Sequence, residues 1–245
     1  MSNYKKYLNA YEFEVTPPGS GETVRFKPLS TGQIKKLLVH ENDNDPRVVE
    51  TVLDEMISNA VISPEFDIDK LYLQDRFFLL VELRKKSKGT KYQFRWKCPE
   101  CETQNLGNVD ISKMKNIPMP EEIDYIVTLD ENLSLRMKYV TRGEIKKLYD
   151  VHEPGEKDSS TQNLAELAII NQAASIESII TPEGEETPSW EDKLEFANDI
   201  PQLFYEKMSD WLRKYNFGID FTYNLKCKGC KKSSREEVPL EDFFF

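Results

Sequence analysis

All four cysteines of this chain fall in two Cys-x-x-Cys pairs, Cys98-Pro99-Glu100-Cys101 and Cys227-Lys228-Gly229-Cys230. Two thiolates two residues apart on a tight turn grip one edge of a metal tetrahedron, and a closed site needs two such edges. The 125 residues between Cys101 and Cys227 are too many for a compact zinc ribbon, so tertiary structure must bring the pairs together. Zinc, one ion per chain, fits this donor set best. Iron in the same tetrahedron, a redox pair and a site that has lost its metal are the alternatives. The redox reading lacks its strand-to-helix context. A full set of four cysteines leaves no open position for metal catalysis, so the expected metal is structural.

The knuckles are corresponding parts of an internal repeat. Phe26–Leu37 (FKPLSTGQIKKL) matches Met137–Leu148 (MKYVTRGEIKKL) without a gap, at an offset of 111 from Phe26 to Met137. Each block reads as a strand running into a capping box, Ser30 with Gln33 and Thr141 with Glu144, and then an amphipathic helix. A second block, Gly89–Cys98, matches Gly218–Cys227 at an offset of 129 and continues through Val109/Val238 and Ile111/Leu240. The second copy is thus longer between the blocks, with the excess expected in the polar stretches Glu153–Gln162 and Thr181–Ser189. Two matches in one order indicate duplication. The chain therefore divides into a first unit, 1–118, and a second, 119–245. The expected fold is α+β and pseudo-symmetric, each copy a β-hairpin, helices and a CxxC strand knuckle, with one shared zinc site closing the two.

Alternation predicts hairpins over Tyr11–Leu29 and Ile123–Val140. Helical spacing predicts helices carrying Val48 to Val61, Leu73 to Arg84, Leu164 to Ala174 and Leu203 to Tyr215. Tyr92, Phe94 and Trp96 alternate on the strand entering the first knuckle, and Phe221, Tyr223 and Leu225 on that entering the second; both sets read as core. Lys97 and Lys226 precede the first cysteine of each knuckle, where cations would offset a tetrathiolate's net negative charge.

The net charge of −10 argues against the whole chain as a nucleic-acid binder. Basic residues nonetheless gather around the knuckles, from Arg84 to Lys97 and from Lys226 to Arg235. A solvated face offsetting thiolate charge explains them; a phosphate- or acid-binding patch is the sharper alternative. No segment is long and apolar enough to span a bilayer, and the N-terminus lacks the apolar run of a signal peptide, so a soluble cytoplasmic protein is expected. No Ser/His/Asp order, P-loop or dinucleotide glycine pattern is present. His40 and His152 read as ordinary surface histidines. No catalytic group and no small-molecule substrate is expected. Phe243, Phe244 and Phe245 end the chain, and three exposed aromatics are unfavourable enough to predict a core or partner contact, the partner being preferred.

Several of these features together resemble the baseplate hub and hub-assembly protein family of T-even-type contractile-tailed bacteriophages. They are the hairpin segment 17–30 (PPGSGETVRFKPLS), the helix end Leu83-Arg84 with Ser87-Lys88-Gly89, the first knuckle leading to Val109-Asp110-Ile111, and the terminus 238–245 (VPLEDFFF). The resemblance implies a non-enzymatic structural or assembly protein. It would be made in the host cytoplasm and bound to other baseplate or hub proteins, with the tail baseplate of the virion as a second location. The competing reading is a zinc-ribbon nucleic-acid-binding or transcription accessory protein.

Overall fold

A computed structural model describes residues 11–38, 46–151, 160–239 and Phe243. Its fold is mixed α+β. In chain order come β1 (Phe13–Val15), β2 (Val24–Phe26), α1 (Thr31–Leu38), α2 (Pro46–Ala60), α3 (Leu73–Lys88), β3 (Lys91–Lys97), β4 (Gln104–Asp110) and β5 (Lys115–Ile117). There follow β6 (Ile126–Thr128), β7 (Ser134–Met137), α4 (Arg142–Val151), α5 (Ser160–Ala174), β8 (Ile176–Thr181), β9 (Gly184–Glu186), α6 (Trp190–Asp199), α7 (Gln202–Lys214), β10 (Gly218–Asp220), β11 (Thr222–Lys226) and β12 (Ser233–Glu237). His40, His152, Phe244 and Phe245 lie outside the described residues.

The chain forms two compact units. One comprises Met1–Phe66, Phe77–Ile117 and Gly218–Phe245; the other comprises Asp67–Arg76 and Pro118–Phe217. Compaction therefore follows a different line from the repeat boundary at 118/119, because the segment carrying the second knuckle belongs with the first.

In the first unit, β1 and β2 form the expected hairpin, with Phe13 opposite Phe26 and their rings stacked at 5.6 Å. Its turn places Gly21 at φ +66, a conformation glycine adopts without steric penalty. The Ser30–Gln33 capping box is present: the Ser30 N–H donates to Gln33 Oε1 at 2.8 Å and the Gln33 N–H to Ser30 Oγ at 3.3 Å. Along α3, Phe78, Leu79, Leu80, Val81, Leu83 and Arg84 are all buried, so the covered surface is wider than the single stripe read from the sequence. Two further hairpins, β3–β4 and β11–β12, carry the knuckles, and β5 pairs with β10.

The second unit is a four-stranded antiparallel sheet, in order β6-β7-β8-β9, with helices α4 to α7. Leu135, Met137 and Ile176 from the sheet are buried with Met208, Trp211 and Tyr215 of the α7 region. A second cluster joins Ile145 and Leu148 of α4, Ile170 and Ala173 of α5 and Leu194 of α6. Leu203, placed on the α7 stripe by spacing, is 60% exposed at the first turn of its helix.

Strand β9 and the β8–β9 turn occupy the stretch Thr181–Ser189 that reads as a polar insertion, and helix α6 begins directly after it. Ser189 starts α6 with a reciprocal capping box to Asp192. With β8 before the insertion and β9 inside it, the β6–β7 sheet is two strands wider than the β1–β2 hairpin. Even so, the Lys27 N–H donates to the Ala60 carbonyl at 2.8 Å, and at the matched positions the Lys138 N–H donates to the Ser175 carbonyl at 2.8 Å.

Candidate metal centre

Both knuckles lie in the first unit, each at the tip of an antiparallel hairpin. β3 and β4 pair Lys97 with Gln104 and Tyr92 with Val109; β11 and β12 pair Lys226 with Ser233 and Thr222 with Glu237. Shifted by the knuckle offset, the two registers coincide. The turns coincide as well. The Cys98 N–H donates to the Thr103 carbonyl at 3.0 Å and the Cys227 N–H to the Lys232 carbonyl at 2.9 Å. Glu102 and Lys231 take the left-handed conformation at matched places, φ 55 and 65. Such a turn points both cysteine side chains of a pair to the same side.

The four Sγ atoms lie within 4.8 Å of one another. Cys98 and Cys230 stand 3.8 Å apart, and Cys101 and Cys227 3.6 Å. Sulfurs about 2.3 Å from a central ion would be about 3.8 Å apart at tetrahedral angles. A disulfide would need about 2.05 Å. The cluster is therefore a four-thiol cage that could hold a metal ion, built from the residues expected to come together.

The surroundings favour thiolates unequally. Hydrogen bonding to Thr103, through side chain and backbone, holds the Cys101 thiol down at about 6. At Cys227 burial is the largest effect and opposes ionisation. The N–H groups of Cys230 and Gly229, with the Asn105 amide, outweigh it and lower the thiol. Cys230 receives the Lys232 backbone N–H, but burial and the three neighbouring thiols push it up to about 11. A bound dication would replace that mutual opposition with a common attraction.

Lys97 and Lys226, the cations expected beside the cage, are exposed strand residues; Lys97 pairs with Glu102 at 3.2 Å. The cation that senses the sulfurs is Lys232. It is raised first by its 2.6 Å bond to Glu100 and then by the charges of Cys230 and Cys98.

Asn105, which sequence reasoning passed over, is 5% exposed and ties the hairpins together. Its Nδ2 donates to the Thr103 carbonyl at 2.7 Å and to Cys227 Sγ at 3.6 Å, and its Oδ1 accepts the Lys228 N–H at 2.8 Å. The available signal was an amide on the inward register of β4, between Thr103 and the apolar Val109.

Tyr92, Phe94 and Trp96 are buried, as expected of core residues. Arg84, also buried, donates from Nε to the Phe243 carbonyl at 2.6 Å, from Nη2 to Lys91 O at 3.0 Å, and from Nη1 to Gly89 O. Phe243 is 2% exposed, with its ring 5.2 Å from that of Tyr92.

No described helix is long and apolar enough to cross a membrane. No curated protein and no solved structure matches the chain. A sequence model of one family, described as T4 bacteriophage base plate protein, matches residues 9–245. That span holds both knuckles and every described strand and helix of the two units, and the chain belongs to the family of T4-type phage baseplate proteins.

Proposed function

We propose that this chain is a structural or assembly component of a contractile-tail baseplate, non-enzymatic, stabilised by one structural zinc on Cys98, Cys101, Cys227 and Cys230. The observation that carries the metal reading is four sulfurs within 4.8 Å of one another, with the Cys98–Cys230 and Cys101–Cys227 separations close to a tetrahedral edge. Zinc suits them because it takes four thiolates without redox chemistry. When bound it would supply cross-linking free energy, since ligands so far apart in sequence are gathered only in the folded chain. Family membership supports partners among other baseplate or hub proteins, with assembly in the host cytoplasm and a place in the tail.

The burial of Tyr92, Phe94 and Trp96 weighs against the nucleic-acid reading, because a single-strand platform needs exposed rings. Matched hairpin registers and matched Lys27 and Lys138 hydrogen bonds support a duplication of 1–118 as 119–245. At the chain end, Phe243, Phe244 and Phe245 are proposed to form the partner contact, with Phe243 as its buried root held by Arg84.

Metal analysis of protein purified without chelator tests the first claim: one zinc per chain is expected, and two or none would defeat it. Removing 244–245 should leave the fold and metal intact while abolishing entry into baseplate intermediates. Unimpaired assembly would count against the contact.

A further inference from the structure

Two knuckles of one register can pair in four ways: first with second, within a chain or between two chains, or like with like between two copies. The contacts around the sulfurs follow a local two-fold relation. Advancing by the knuckle offset converts the Cys98–Cys230 contact of 3.8 Å into the Cys101–Cys227 contact of 3.6 Å. The matched carbonyls of Asp110 and Pro239 each accept a tyrosine hydroxyl from the other hairpin, Tyr223 at 2.7 Å and Tyr92 at 2.8 Å, although the two tyrosines stand one inward position apart in register.

Two contacts break the relation. Asn105 Oδ1 accepts the Lys228 N–H at 2.8 Å. The match of Lys228 is Pro99, which has no N–H to give, and the match of Asn105 is Ser234, whose buried hydroxyl has no hydrogen-bond partner among the described residues. Thr103 Oγ1 lies 2.5 Å from where a Cβ on Gly229 would stand. The match of Gly229 is Glu100, which carries a Cβ, and the match of Thr103 is Lys232, ion-paired to Glu100 at 2.6 Å.

We propose that Asn105 and Thr103 on the first knuckle, with Lys228 and Gly229 on the second, decide which knuckles pair. They direct each first knuckle to a second one, which a shared chain keeps at the higher effective concentration, and bar the first knuckle from pairing with that of another copy. The proposal rests on reading the cysteines as a metal centre. In a first-with-first pair, each Asn105 carboxamide would meet a proline ring in place of a donor, leaving a buried acceptor unpaired. Each Thr103 would meet the Cβ of Glu100 inside contact distance. Pairing is thus specified by what the wrong partner cannot supply as much as by what the right one does.

Cobalt(II) under reducing conditions is the probe, since tetrathiolate cobalt is coloured. A chain carrying Cys227→Ser and Cys230→Ser keeps only its first knuckle. It should remain monomeric in sedimentation velocity with or without cobalt, and show no tetrathiolate band. Adding Pro99→Lys and Glu100→Gly gives that knuckle the second knuckle's residues. Cobalt should then drive dimerisation, with one ion per two chains. Equal dimerisation of both variants, or none in the second, would overturn the proposal. A companion test keeps all four cysteines: Gly229→Ala should weaken cobalt binding at least tenfold, and Thr103→Ala added to it should restore binding; failure to restore would also overturn it. Cobalt uptake by the unaltered chain is measured first, and no uptake defeats the metal reading alone. Pairing is then read with diamide, which takes two electrons and two protons from a thiol pair. The Cys101–Cys227 bridge should form within the unaltered chain and be lost in Gly229→Ala; bridging chiefly between chains would overturn the rule.

Discussion

Asn105 occupies an inward position of β4, where an amide is tolerated only because both ends of its carboxamide are used. Asn105→Ala removes the acceptor for the part-buried Lys228 N–H, and losing a hydrogen bond of this kind costs about 0.5–1.5 kcal/mol. It also removes a donor to Cys227 Sγ, and groups that orient metal ligands in this way typically change metal affinity about 10–100-fold. Urea unfolding and zinc transfer to a chromogenic chelator should register both losses. Arg84 presents a similar case away from the cage. Its guanidinium serves the carbonyls of Gly89, Lys91 and Phe243, spanning the α3 end, the start of β3 and the C-terminal segment. A lysine is a single point donor and cannot serve three diverging acceptors. Arg84→Lys should destabilise the protein by about 2–3 kcal/mol in urea unfolding. No loss would mean that the three carbonyls are satisfied without the fork.

At the scale of elements, the β8–β9 hairpin widens the second unit's sheet through Glu185, which accepts from Arg136 Nε at 2.7 Å and from the Ser178 hydroxyl. Hydrogen bonding to Arg136 first, then Ser178, holds this carboxyl down at about 2. Because the folded value lies below the unfolded one, the pairing contributes fully above the ordinary carboxylate range and is lost as pH falls through about 2. Amide protection factors in β8 and β9, which correct for the intrinsic pH dependence of exchange, should therefore hold to about pH 4 and fall below it. In Glu185→Gln that acid-linked change should vanish; its persistence would place the titration elsewhere. This hairpin also shows where the sequence stopped being legible. The first hairpin, the α1 capping box and both knuckle strands could be read because each carries a local period or a cap signature. Strand β8 begins directly after α5, and its partner β9 is the polar Gly-Glu-Glu, so no apolar alternation marks it. Of the cage, the four sulfurs were legible from spacing. Asn105 was not, because its role depends on a backbone N–H more than a hundred residues away.

For the whole molecule, the cage belongs to one compact unit, while the other has apolar clusters of its own in its sheet and helices. Chelation should therefore act selectively. With EDTA, or in Cys227→Ser, the unit holding the knuckles should lose several kcal/mol, and a loss of about 3 kcal/mol lowers its melting point by about 10–20 °C. Hydrogen exchange across Leu135, Met137 and Ile176 should remain protected meanwhile. Uniform loss of protection in both units would show that the metal supports the molecule as a whole.

The unit that holds the cage is discontinuous, drawing on 77–117 and again on 218–245. During synthesis its first hairpin leaves the ribosome long before its partner exists. At about 5–20 residues per second, the interval between Cys101 and Cys230 is roughly 6–26 s. Throughout it, two thiols and an unfilled Asn105 acceptor wait for a strand not yet made, while neighbouring chains on the same messenger expose the same hairpin. A knuckle that rejects its own kind keeps those chains apart until each can close on itself. Arrested nascent chains ending at residue 217 should consequently hold no cobalt and form no cross-links to one another, whereas full-length chains should acquire the metal only on release.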